Sequence, residues 1–210
     1  MPAPYRRHGI TTKTVDHFLV NAGAVYINLG EADERLLGAT RGGSTFNIEQ
    51  DVYEPEIDGS PGPLKGTRRI IESRAQLTTN LLEVTKENVM MAIAGSSSIP
   101  YPDPTATTHD EITRSRNIVA ADYVKNMALV GTISGSDEPV IFLIYNALQD
   151  ENFEIGNEDR GEGVLELTFT AHFDPADMSK EPWAIRYPRA TGLQSGITPA
   201  APAPTTPTTP

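Results

Sequence analysis

Apolar residues recur at every second position along most of this 210-residue chain, and that period decides the fold class. In "EGVLELTFTAHFDP", Leu165, Leu167, Phe169, Ala171 and Phe173 fall on one side, and Glu166, Thr168, Thr170 and His172 on the other. A helix would scatter those apolar groups around its axis, whereas a strand gathers them on one face, so the stretch predicts a half-buried β-strand. The same alternation sets Ile71, Ser73, Ala75, Leu77, Thr79 and Leu81 against Glu72, Arg74, Gln76, Thr78 and Asn80. A further strand is expected from Phe46 and Ile48 through Val52. An early one is expected over His17 to Leu29, with Gly23 marking a bulge or a close approach. "DYVKNMALVGTISG" and "PVIFLIYNALQ" read as a hairpin turning at Ser136-Asp137-Glu138. Its apolar run from Ile141 to Tyr145 should be covered on both faces.

One segment departs from period two. "VTKENVMMAIAGSSS" has Thr85 as an N-cap, Glu87 in the first turn, Gly95 past the end, and Val89, Met90 and Ile93 at helical spacing. It predicts one short helix packed on a sheet, its methionine pair filling core. Ser96 to Arg116, with three prolines in "IPYPDPTATTHDEITRSR", reads as a long irregular loop. "TPAAPAPTTPTTP" is low-complexity and is expected to be an extended, polyproline-like tail. The expected organisation is one β domain over residues 1–190, including an N-terminal arm over about 1–16, followed by a Pro/Thr/Ala-rich tail over 191–210.

Charge narrows the partners. Seventeen basic residues against 28 acidic ones give a formal net charge of -11. That balance argues against a nucleic-acid binder, whose affinity comes from Lys and Arg displacing counterions, but not against a surface that nucleic acid slides past. The cations gather near loops or ends as Arg6/Arg7, Lys65/Arg68/Arg69 and Arg114/Arg116. Each group is either solvated surface or half of a contact between oppositely charged patches. The chain has no cysteine, which removes disulfides, thiolate metal sites and a thiol nucleophile. "MPAPYRRHGITTK" lacks an apolar h-region, and no run approaches the roughly eighteen apolar residues of a membrane span; a chain made and kept soluble inside a cell is expected.

"YEPEIDGSPGPLKGTRRIIES" invites comparison with a phosphate-binding loop. In Gly62-Pro63-Leu64-Lys65-Gly66-Thr67 the lysine precedes the second glycine, Pro61 and Pro63 remove two N–H donors, and a strand follows where a helix is needed. Asp58-Gly59 and Pro61-Gly62 are instead turn dipeptides between two alternating strands. A long hairpin is expected, acidic outward (Glu54, Glu56, Asp58) and basic on return (Lys65, Arg68, Arg69). Those charges form either an ion ladder within the hairpin or a joint with a neighbouring subunit.

No other pattern carries chemistry. His8, His17, His109 and His172 are scattered without a second ligand at metal-binding spacing, and "GNEDRGEG" lacks the spacing of a calcium loop. G-x-S-x-G is absent. No catalytic residue, cofactor-binding residue or metal ligand is expected, and the chain reads as a non-enzyme.

Taken in order, "LGATRGGSTFNIEQDVYEPEIDGSPGPLKGTRRI", "RAQLTTNLLEVT", "TKENVMMAIAG" and "VLELTFTAHFDPADMSKEPWAIRYP" resemble the major tail tube proteins of long, flexible-tailed, siphovirus-type bacteriophages, over about residues 15–188. The resemblance implies a mainly β, sandwich or barrel-like fold with one short flanking helix, a long hairpin and extended termini. It implies a structural virion protein whose copies form rings, hexameric in that family. The inner sheets join into a lumen wall, and the rings stack into the conduit for DNA ejection. It also implies assembly in the host bacterial cytoplasm, tape measure, tail terminator and distal tail proteins as partners, and no cofactor or membrane. DNA would pass without specific binding. On this reading the contacts between subunits and rings fall to Glu54, Glu56, Asp58, Lys65, Arg68 and Arg69 on the hairpin, Arg6 and Arg7 on the arm, and Arg114 and Arg116 on the 96–116 loop. The Pro/Thr tail departs from relatives that carry an immunoglobulin-like decoration there. Two alternatives stand beside it: a related tube or ring subunit (type VI secretion tube or tail-completion protein), and a carbohydrate-binding β-sandwich using Trp183 and some of the seven tyrosines.

Overall fold

The computed structural model describes residues 9–11, 13–101, 108–156, 159 and 161–189. The chain is mainly β, as its period requires. In chain order the strands are β1 (Leu19–Ile27), β2 (Arg35–Leu36), β3 (Thr40–Tyr53) and β4 (Arg69–Leu81). After the helix α1 (Lys86–Met91) come β5 (Ser96–Pro100), β6 (Asp110–Arg114), β7 (Val124–Ile133) and β8 (Val140–Gln149). The last are β9 (Ile155–Gly156), β10 (Val164–Thr170) and β11 (Trp183–Arg186). One layer runs β2-β1-β7-β8-β11 and the other β10-β4-β3, with β9 beside β10, all antiparallel. The end of β8 leaves the first layer to pair with β10 at Phe169↔Gln149 and Thr170↔Leu148, joining the layers along one side as in a partly closed barrel.

The core lies between the layers. Val25, Ile27, Met127, Leu129 and Ile144 come from the first, and Ala75, Leu77, Leu81, Leu165, Leu167 and Phe169 from the second. Phe46 and Phe142 meet across the gap with ring centroids 5.3 Å apart. Each large side chain so enclosed is worth about 1.5–3 kcal/mol relative to exposure. β8 is covered on both faces: Ile144 enters the core, and Leu143 is buried beside Ala128 on the opposite face. Gly23 marks the bulge in β1. It has φ +73°, the register shifts between Val20 and Ala24, and a Cβ there would stand 3.0 Å from the Val130 carbonyl oxygen.

Three expectations need correction. Ser96 to Arg116 is not irregular throughout: β5 and β6 pair from Ser96↔Arg114 to Pro100↔Asp110. Pro100 closes β5, so the prolines do not interrupt the ladder, while Ile99, Ile112 and Thr113 suit the strand arms. The middle of that loop, residues 102–107, lies outside the described residues. Ile71, on the core side of its strand by parity, is 59% exposed because β4 extends past the opposite layer. Phe173, inward by parity, follows the end of β10 at Thr170 and is exposed as well.

The helix also has a polar anchor where an apolar one was expected. Thr85 caps it, its hydroxyl accepting from the Asn88 amide at 3.2 Å, and the helix stops at Met91 before reaching Ile93. Its buried residue is Asn88, 1% exposed. Asn88 Nδ2 donates to the carbonyls of Leu37 (3.1 Å) and Glu83 (3.0 Å), and Oδ1 accepts from Arg35 Nη1 (3.1 Å). One side chain thus holds α1 against the β2–β3 corner. Asn88→Leu strands those partners and should cost about 1–3 kcal/mol. In a chain of this size the melting temperature should fall by roughly 2–12 °C, read by circular dichroism.

Candidate functional site

β3 and β4 stay paired well beyond the core, out to Tyr53↔Arg69, with a register shift after Asp51. The ribbon leaves much of its apolar surface in solvent there, with Ile70 and Ile71 bordering a cleft that Phe173 and Met178 share. Val52, Tyr53, Ile57, Leu64, Ile70 and Ile71 are between 43% and 59% exposed. Single exposed apolar residues are ordinary, but a contiguous set on one projecting element marks an interaction surface. The tip holds its own shape: Ser60 Oγ donates to the Gly62 carbonyl at 2.6 Å and Thr67 Oγ1 to the Leu64 carbonyl at 2.9 Å. Gly59 and Gly66 take the positive φ (+81° and +92°) that these turns need.

The ribbon's charges divide between the two roles foreseen for them. Arg68 pairs with Glu54 at 2.7 Å, and the Arg69 guanidinium lies 4.9 Å from the centre of the Tyr53 ring. These are contacts within the hairpin. Glu56, Asp58 and Lys65 form no ion pair among the described residues and stand exposed. A ladder of one rung cannot account for the whole pattern.

Arg114 ends β6, and Arg116 follows two residues later. Both border one cleft, which has no ribbon residue in its wall. The two arginines thus line a surface distinct from the ribbon tip. Arg6 and Arg7 lie outside the described residues.

The second layer has an open side. β3 pairs only with β4 among the described strands, so its other edge presents unpaired backbone groups along a 14-residue strand. Such an edge templates pairing with another chain unless it is covered. The outward face of this layer is polar throughout, with Thr45, Asn47, Glu49 and Asp51 on β3, Glu72 to Asn80 alternately on β4, and Glu166, Thr168 and Thr170 on β10. Cross-strand bonds tie it together: Thr78 and Thr168 hydroxyls at 3.0 Å, and Gln76 Nε2 to Thr170 Oγ1 at 3.2 Å. Asp51 stands directly opposite Glu72, a like-charge pairing that costs stability. The cation on this face, Arg74, lies 3.7 Å from Asp150.

The residues that could have carried other chemistry sit apart. His17 is exposed after a 3-10 turn, and His109 Nδ1 lies 3.1 Å from the neighbouring Thr108 hydroxyl. His172 Nδ1 faces the carbonyls of Asn146 (3.2 Å) and Thr170 (3.0 Å), which makes it the protonated nitrogen, and its ring meets Tyr123 edge-on. Among the described residues no three His, Cys, Asp or Glu side chains gather as a metal site, and no helix is long and apolar enough to cross a membrane. Trp183 packs on the core, its Nε1 3.4 Å from Ser73 Oγ, and does not form an open platform for a sugar.

No family model and no curated protein matches the chain. Solved structures do. A chain from the tail of an empty gene transfer agent particle, refined with C6 helical symmetry, aligns over 73% of this chain and 92% of its own, with 9% identity and a TM-score of 0.39. A chain from the virion of a native gene transfer agent particle aligns over 79% and 96%, with 9% identity and a TM-score of 0.40.

Since the ribbon contributes little to the core, its residues should be dispensable for folding. Glu54→Ala, which removes a half-exposed ion pair, should change the unfolding free energy by about 1 kcal/mol or less in urea titration. Ile57→Ser with Leu64→Ser should likewise stay within about 1 kcal/mol of the parent. A loss of several kcal/mol would show that the ribbon supports its own chain.

Proposed function

We propose that this chain is a non-enzymatic structural subunit that self-assembles into stacked, hexameric rings, forming a siphovirus-type tail tube through which DNA passes without being bound. The observation that carries the reading is the ribbon: a paired strand extension whose apolar residues are roughly half exposed and whose tip acids Glu56 and Asp58 form no ion pair among the described residues. Left uncovered, such an element is an aggregation hazard; used as a joint between identical copies, it is a stacking device. The open β3 edge supports lateral joining, because a head-to-tail ring seats each edge on a different surface of its neighbour.

The polar outward face of the β3-β4-β10 layer suits a lumen wall. It offers hydroxyls, amides and carboxylates, with Arg74 held beside Asp150, and so gives a phosphate backbone little to grip. The resemblance over residues 15–188 to phage tail tube proteins supplies the rest of the proposal: a place in the virion tail, assembly in the host cytoplasm, and tape measure, terminator and distal tail proteins as partners. The Arg6/Arg7 arm completes the proposed contacts.

Negative-stain microscopy across rising protein concentration tests the assembly, with rings or tubes expected. Lys65→Glu with Arg69→Glu should leave a folded monomer by circular dichroism yet stop tube growth. A parent protein that sediments as a monomer at every concentration would overturn the function, and unchanged tubes from the double variant would remove those two residues from the joint. Assembled tubes should also fail to retain DNA at low salt in a sedimentation assay.

A further inference from the structure

We infer that the cleft bordered by Arg114 and Arg116 is the receptor for the ribbon tip of a second copy of this chain, an assignment that rests on the self-assembly reading. The cleft has a volume of about 460 Å³ and opens between the turn after α1, the segment after β6 and the β8–β9 connection. Its apolar lining comes from Ile93, Ile118 and Phe153, the last two 50% and 41% exposed. Arg114 and Arg116 flank it, and neither forms an ion pair among the described residues. Two acids also border it. Asp150 is occupied, accepting from Thr170 Oγ1 at 2.8 Å and lying 3.7 Å from Arg74 Nη2, which leaves Glu151 against two guanidinium groups.

Gln149 is a polar residue of the same wall. It borders the same cleft and is 2% exposed. Its Oε1 accepts from the Glu151 amide at 3.2 Å, which fixes the amide's orientation, and Nε2 finds no acceptor. A buried donor without a partner is costly, but this one is closed off from solvent, so the assignment rests on the two arginines and the apolar lining.

The ribbon tip has the complementary composition. Glu56 and Asp58 are exposed acids with no ion pair among the described residues, Ile57 lies between them, and Leu64 on the return side is 45% exposed. Inserted end-on, the tip offers apolar side chains to Ile118 and Phe153 and carboxylates to the two arginines. Opposed charges of this kind set orientation and exclude wrong partners as much as they add affinity. Tip and cleft are different surfaces, so the contact is heterologous. Unless rotation closes it, it repeats without end, as stacking along a tube axis requires.

The absence of cysteine makes a direct test possible. Asp58→Cys protomers mixed with Arg116→Cys protomers of different tag size should form a disulfide-linked heterodimer on mild oxidation, well above the yield from Asp58→Cys mixed with a cysteine placed at Glu166. Glu56→Arg with Asp58→Arg, and separately Arg114→Glu with Arg116→Glu, should each raise the concentration needed for assembly by about tenfold or more. All four changes in one chain should bring it back near the parent's value. Normal assembly by the arginine double variant, or no specific cross-link within assembled material, overturns the receptor while leaving the tube intact. Loss of assembly without rescue by the fourfold variant also overturns it, and assigns the cleft to another occupant such as the 191–210 tail. A parent that never assembles overturns both readings.

Discussion

One antiparallel ladder does two jobs in this molecule. At its inner end the β3–β4 pair lies beside β10, with Leu77 opposite Phe169 and Leu81 opposite Leu165, and both leucines are fully buried. At its outer end the same strands leave the core and present Val52, Ile70 and Ile71 to solvent. The outer register is set from the inside. A one-residue slip would turn Ala75, Leu77 and Leu81 to the polar face, so the buried half dictates which residues meet at the exposed half. The tip is thereby held at a defined distance, and its strands need no stabilising contact of their own with the rest of the chain.

How much of this the sequence made legible follows from what periodicity measures. β4 and β10 were readable because alternation reports which face a residue belongs to. It does not report depth. Ile71 and Leu77 share a parity, yet only Leu77 has the opposite layer above it. The β5–β6 hairpin was hidden because prolines suggest irregular chain wherever they cluster, and here Pro100 merely ends an arm. Asn88 was invisible for a different reason. An asparagine in a helix reads as surface, and only the fold brings Leu37, Glu83 and Arg35 to its amide. The basic groups were visible as groups, but sequence could not separate Arg68 and Arg69, engaged within the ribbon, from Lys65, Arg114 and Arg116.

That separation changes how the net charge of -11 should be understood. Charges spread over a surface keep copies apart, and assembly of an acidic chain with itself must overcome that repulsion. The expense falls if the remaining cations face the places where another copy's acids arrive. Arg74 beside Asp150 and Arg41 at 3.2 Å from Glu162 are settled within the chain. The cleft arginines form no ion pair among the described residues, and Ile93, Ile118 and Phe153 beside them would partly shield a paired charge from water. A contact there gains more from each carboxylate than the same pair gains in open water.

The polar layer and the ribbon then constrain each other. β3 and β4 supply both the flat face of hydroxyls and carboxylates and the extension that leaves it, so the two are fixed in relative direction by continuous backbone. If the ribbon points along the stacking axis, the strands of that layer run with a component along the same axis, and the polar face of every copy must look the same way about it. A closed ring of such copies either turns all of those faces inward or turns all of them outward. The Asp51–Glu72 opposition helps decide between these. A like-charge pair weakens the monomer's own ladder, and beside a polyanion it would oppose adhesion. On the tube reading proposed above, the inward orientation would give this pairing a use.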